Sequence, residues 1–167
     1  MITKAYETAM MAHWMRTPCS IKDTEGNLRT FTPFRGGSCP DDFATYASNM
    51  QTSFSARGVI FLSGGRSPSR DDYTSDGTIV SNLSINSSDN SYEDENGYVL
   101  SKTYVITNNN SNAVTIDEVC WTSAVWYTSS KAHTFLADRT KLESPVTIEA
   151  GGFAQITYTI RLNYPVT

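Results

Sequence analysis

The chain has 167 residues of even composition, enough for one core of ordinary size, which predicts a single domain. A net charge of −4, a pI of about 5.1 and the lack of any Lys/Arg run argue against a phosphate-backbone partner, so nucleic acid is not expected. With 39% apolar residues and abundant Ser, Thr and Asn, the composition suits many short strands joined by polar turns better than a helical core.

The opening "MITKAYETAMMAHWMR" lacks a basic n-region and an unbroken apolar stretch, and no later run of ~18 apolar residues follows. No leader and no membrane step are therefore expected. Ile2, Ala5, Tyr6, Ala9, Met10, His13 and Trp14 recur at helical intervals, predicting an N-terminal helix over residues 1–16. Its apolar stripe packs either on its own domain or on a neighbouring subunit, which makes Ile2, Ala9, Met10 and Trp14 candidate partner contacts. Residues 17–57 are expected to form a hairpin and a loop. Two short strands flank Glu25-Gly26-Asn27, where Gly and Asn tolerate positive φ, and the period-2 pattern is lost from residue 36.

The body is expected over residues 58–167. "GVIFLSGG" is a compact β run closed by glycines, and "RSPSRDDYTSDG" is turn chemistry throughout. Val80, Leu83 and Ile85 lead to an acidic turn at Asp94-Glu95-Asn96-Gly97, from which Tyr98 to Ile106 returns as a strand. Beyond the polar turn 108–112, Val114-Ile116 and Val119-Trp121 alternate out of phase, which predicts a bulge at Glu118. "YTSSKAH" reads as a loop before the strand "TFLADRT". Val146 and Ile148 predict one arm of a C-terminal hairpin, and Phe153, Ile156, Tyr158 and Ile160 the apolar row of the other, reversing at Gly151-Gly152. Seven to nine short strands with frequent turns predict a mainly β chain, an antiparallel β-sandwich or jelly-roll-like domain with one N-terminal helix.

Tests for chemistry return little. No G-x-S-x-G elbow accompanies the two histidines, His13 and His133. Cys19, Cys39 and Cys120 are too few and too scattered for a disulfide framework, and no close Cys or His pair has zinc spacing. The acidic stretch "DNSYEDENGYVL" fails as a calcium loop, because Tyr92 stands at the first ligand place and Thr103 at the last. Adjacent carboxylates such as Asp117 and Glu118 point to opposite faces of a strand and do not flank one bond. No enzyme activity, metal or cofactor is expected. Trp121, Trp126 and Tyr127 are further candidate partner contacts, since aromatics anchor protein interfaces and stack on sugars.

The segments "SGGRSPSRDDYTSDGTI", "SKTYVITNNNSNAVTIDEVCW" and "FLADRTKLESPVTIEAGGFAQITYTIRLNYP", in this order, resemble small virion structural proteins of tailed bacteriophages. The shared pattern is a Pro-Ser-x-x-Asp-Tyr segment, then N-x-x-x-x-x-V-T-I-x-E-V, then L-x-x-R-T-x-L-x-x-P-V-T-I-x-A-G-G. The likeness covers roughly residues 58 to 165. It implies a β-sandwich subunit of a phage particle, made and assembled in the host cytoplasm, whose partners are copies of itself and other virion proteins on the capsid, neck or tail. The alternative is a host-surface glycan-binding module on the virion, with Trp126 or Tyr127 as the stacking platform.

Overall fold

The computed structural model describes residues 1–15, 17–31, 58–90, 92–128 and 131–163. The loop expected over 36–57 lies outside them. Among the described residues the chain is mainly β and antiparallel with one N-terminal helix, as the sequence predicts. It divides into two compact units, Met1–Ser81 with Thr115–Pro145, and Asn82–Val114 with Val146–Thr167.

In the first unit, α1 (Lys4–Met15) starts where Thr3 caps it. Thr3 Oγ1 accepts from the Tyr6 N–H at 3.3 Å, and Glu7 in the first turn suits the positive end of the helix dipole. Hairpin β1 (Cys19–Lys22) and β2 (Leu28–Phe31) turns through Gly26 at φ 90°, the conformation the sequence required of that position. The main sheet has the order β4-β3-β8-β9, from β3 (Gly58–Ser63), β4 (Thr78–Ile79), β8 (Val114–Thr128) and β9 (Lys131–Ile148). The apolar run of β3 is buried on both faces. Ile60, Leu62, Cys120 and Leu136 form one fully buried cluster, with Ile79 packed against it. Residues 1–3 lie antiparallel along β9: Ile2 bridges Asp138, the Thr3 N–H donates to the Ala137 carbonyl at 3.0 Å, and the Arg139 N–H donates to Met1 O at 3.0 Å.

In the second unit the sheet order is β10-β7-β5, with β6 also paired to β7: β5 (Leu83–Asp89), β6 (Tyr92–Asp94), β7 (Gly97–Asn108), β10 (Phe153–Asn163). Ile156 is buried and faces the same side as buried Tyr104 and Ile106 of its neighbour β7.

Four expectations change. The ladder of β3 on β8 runs without interruption from Gly58↔Thr122 to Leu62↔Glu118, so no bulge accompanies Glu118. The strand is instead buried on both faces from Glu118 to Ser123, and the charged side chain that broke the alternation points into the protein. "YTSSKAH" is mostly strand, since β8 runs to Thr128 and β9 begins at Lys131. The C-terminal reversal exists, with Gly151 at φ 71° and the Gly152 N–H donating to Glu149 O, but its two arms form no ladder among the described residues. Asn108 takes the backbone groups beside the turn, and β10 pairs with β7 from Phe153↔Thr107 onward. Phe153 consequently falls on the face opposite Ile156 and is 75% exposed.

Candidate functional site

The strongest constellation lies in the first unit around Arg139, whose side chain is fully buried. β9 supplies Arg139, β8 supplies Glu118, and the segment after β3 supplies Arg66, Asp72, Ser75 and Asp76. Arg139 Nε donates to Glu118 Oε1 at 2.5 Å, Nη1 to Asp72 Oδ2 at 2.8 Å, and Nη2 to Asp76 Oδ1 at 3.0 Å, Glu118 Oε2 at 3.2 Å and the Arg66 carbonyl at 2.8 Å. Every nitrogen of the guanidinium is therefore engaged. Around it, Asp72 also accepts from Arg66 and from the Ser69 N–H, while Ser75 Oγ donates to Glu118 at 2.9 Å.

The electrostatics favour full ionisation. Burial pushes the Asp72 carboxyl up, but hydrogen bonds from Arg66, the Ser69 N–H and Arg139 outweigh it and hold it below the usual carboxylate range. Burial works against the Arg139 cation, yet bonds to Glu118 and Asp72 raise its pKa above the ordinary value. Cys120 Sγ lies 3.1 Å from Glu118 Oε1; burial first, and then the Glu118 charge, push the thiol far above the range in which it would be a nucleophile. Lys141 Nζ lies 3.2 Å from Asp117 Oδ1, within ion-pair range but without hydrogen-bond geometry. Saturated in this way, the cluster fastens segment 64–77 onto the sheet and leaves no guanidinium nitrogen for a substrate.

A second polar node organises the other unit. Asn108, with no exposed surface, donates from Nδ2 to the Asn112 carbonyl at 2.8 Å, the Ile148 carbonyl at 2.9 Å and the Glu149 carbonyl at 3.2 Å. Its backbone closes the same turn through Gly151 N–H to Asn108 O at 2.9 Å and Asn108 N–H to Gly152 O at 3.0 Å. One side chain thereby ties the loop after β7 to the reversal before β10.

The residues expected at partner contacts are distributed differently. Ala9 is fully buried and so faces its own chain, while Ile2 is half-buried and its backbone bridges Asp138. Met10 and Trp14 lie on α1, and Trp126 and Tyr127 on β8, with side chains outside the described set. Trp121 is 3% exposed and packs its ring 5.0 Å from that of Tyr6 at 53°, which removes it as a platform for a sugar. His133 is half-buried in β9. The helix instead exposes Met11 and Met15, which the stripe argument passed over although they are spaced i, i+4. Among the described residues, no group of His, Cys, Asp and Glu has the geometry of a metal site, and no helix is long and apolar enough to cross a membrane.

The charged positions of the three sequence patterns are the members of the Arg139 cluster. Asp72 is the aspartate of Pro-Ser-x-x-Asp-Tyr, Glu118 the glutamate of V-T-I-x-E-V, and Arg139 the arginine of L-x-x-R-T. Asn108 is the asparagine that opens the second pattern, and Ile148 and Glu149 belong to the end of the third. No protein-family model, curated protein or solved structure matches the chain.

Proposed function

We propose that the chain is a structural component of a bacteriophage virion, assembling on the capsid, neck or tail through contacts with copies of itself and other virion proteins. The supporting observation is that the polar positions of the patterns resembling phage virion proteins meet in two knots that hold the fold. Such positions are required by an architecture, and a subunit whose task is to present a rigid surface needs that architecture. On this reading the protein is not an enzyme, takes no cofactor, and resides in the particle after assembly in the host cytoplasm.

The test is recovery of the chain in particles. Peptides of this protein should appear by mass spectrometry in gradient-purified virions at a stoichiometry set by the symmetry of its site, and should survive high-salt washing. Particles complete and infectious without it would sink the proposal.

A further inference from the structure

A pocket of about 210 Å³ lies in the first unit between the first turns of α1, the β1–β2 hairpin and residues 70–73. Pockets for drug-sized ligands run about 300–1,000 Å³, so this one has room for a single large side chain. Ile21 and Ala5 are among the apolar groups lining it, and Leu28 stands beside them 72% exposed. Its charged lining is Lys4, Lys22, Arg70, Asp71 and Asp72, the last held by Arg66 and Arg139. Arg70 is engaged by Glu7, and Lys4 has Asp71 at 3.9 Å. Lys22 is held with its ammonium 4.0 Å over the Tyr73 ring and has no carboxylate partner among the described residues.

The other unit carries a complementary feature. Where β6 turns into β7, the hairpin holds Glu93, Asp94 and Glu95 within three residues, and Asp94 is taken by Arg161. Tyr98, 41% exposed, stands directly opposite Glu93 across the ladder, and the exposed carboxylate of Glu95 at the tip has no partner among the described residues. An exposed aromatic flanked by acids matches in size and apolarity a one-side-chain pocket in which Lys22 is the lining charge left without a carboxylate partner among the described residues.

We propose that this pocket receives the β6–β7 hairpin of a second copy of the chain, with Tyr98 entering the pocket and Glu95 facing Lys22. Pocket and hairpin are unlike surfaces, so the contact either occurs twice, reciprocally, in a twofold dimer or repeats from copy to copy as a ring or filament. The inference rests on the reading of the chain as an assembling subunit, and it names a contact that can fail by itself.

Sedimentation velocity of the full chain, with Lys22→Glu and Glu95→Lys, tests it. The wild type should self-associate, and each reversal alone should weaken association at least tenfold by setting like charges against each other. An equimolar mixture of the two variants, and the double variant, should both return to within about threefold of wild type, since rim charges act mainly by complementarity. Tyr98→Ala should weaken association without altering its salt dependence. A monomeric wild type, reversals without effect, or a mixture that fails to re-associate overturns the proposal. A monomer whose melting temperature rises with inorganic phosphate, an effect lost in Lys22→Glu, overturns it in favour of a small-anion site. Virion recovery is scored separately: absence from particles overturns the virion reading, while normal recovery of both reversal variants with unchanged self-association overturns the docking alone.

Discussion

Replacing Arg139 with Met keeps most of its volume and removes its charge. The change leaves Glu118, fully buried, without its hydrogen-bonded cation and with only Lys141 Nζ at 3.8 Å, and takes from Asp72, whose side chain is 3% exposed, one of its two arginines. Breaking a buried ion pair from one side costs about 3–5 kcal/mol, because a desolvated charge is left without compensation. Against a typical stability of about 5–15 kcal/mol, the loss is a large part of the whole. Urea unfolding followed by intrinsic tryptophan fluorescence, to which buried Trp121 contributes, should show it: with slopes of about 1–3 kcal/mol per molar urea, the midpoint should fall by at least about 1 M. Adding Glu118→Leu should recover most of the loss, since the orphaned carboxylate goes with it and the two positions are strongly coupled. The effect should also depend on pH. Asp72 is held below its unfolded pKa, so its contribution is complete above that value and is lost as pH falls through the folded one. The gap between wild type and Arg139→Met should therefore narrow on acidification below about pH 4. A variant within about 0.5 kcal/mol of wild type at pH 7 would refute the clamp, because that is the scatter of ordinary surface substitutions.

Asn108→Ala removes the amide that serves three carbonyls and should cost about 1–3 kcal/mol in the same assay; a neutral result would mean that water replaces it without loss. Ile156→Asp puts a charge on the covered face of β10, where a buried aliphatic side chain is worth about 1.5–3 kcal/mol, and should abolish cooperative unfolding; near-native melting would show that face to be open. Deleting residues 1–16 strips the strand along β9 and bares Trp121, so the truncated chain should aggregate or melt well below wild type. A soluble product with unchanged melting would restore the helix as a part made for a partner.

Features determined by neighbours in sequence were legible without coordinates. The helix follows from its apolar intervals, and the β1–β2 turn from Gly26, because both rest on contacts a few residues apart. Glu118 shows where that reasoning stops. Alternation treats a carboxylate as a mark of solvent, but its cation lies 21 residues onward in Arg139, and Asp72 reaches the same guanidinium from 67 residues back. No local rule pairs them. The same holds for β10: its identity as a strand was clear, but adjacency suggested the preceding strand as partner, whereas Asn108 routes it to β7. Met11 and Met15 were missed for a simpler reason, since a helix rich in Ala and Met has apolar groups on more than one side. The polar letters of the three patterns could be read as a set in sequence, but their convergence in space could not.

The separation between Asp72 and Arg139 bears on how the chain is made. A ribosome adding about 5–20 residues per second adds Asp72 roughly 3–13 s before Arg139. Segment 64–77 tolerates the delay, since an unclamped stretch of Ser, Asp and Arg is simply hydrated. β3 is in a harder position: "GVIFLS" emerges just ahead of it and must wait for β8 with its apolar side chains uncovered. The hydrophilic run behind β3 has the position and composition of a gatekeeper for that interval, and its charges turn inward once Arg139 is in place.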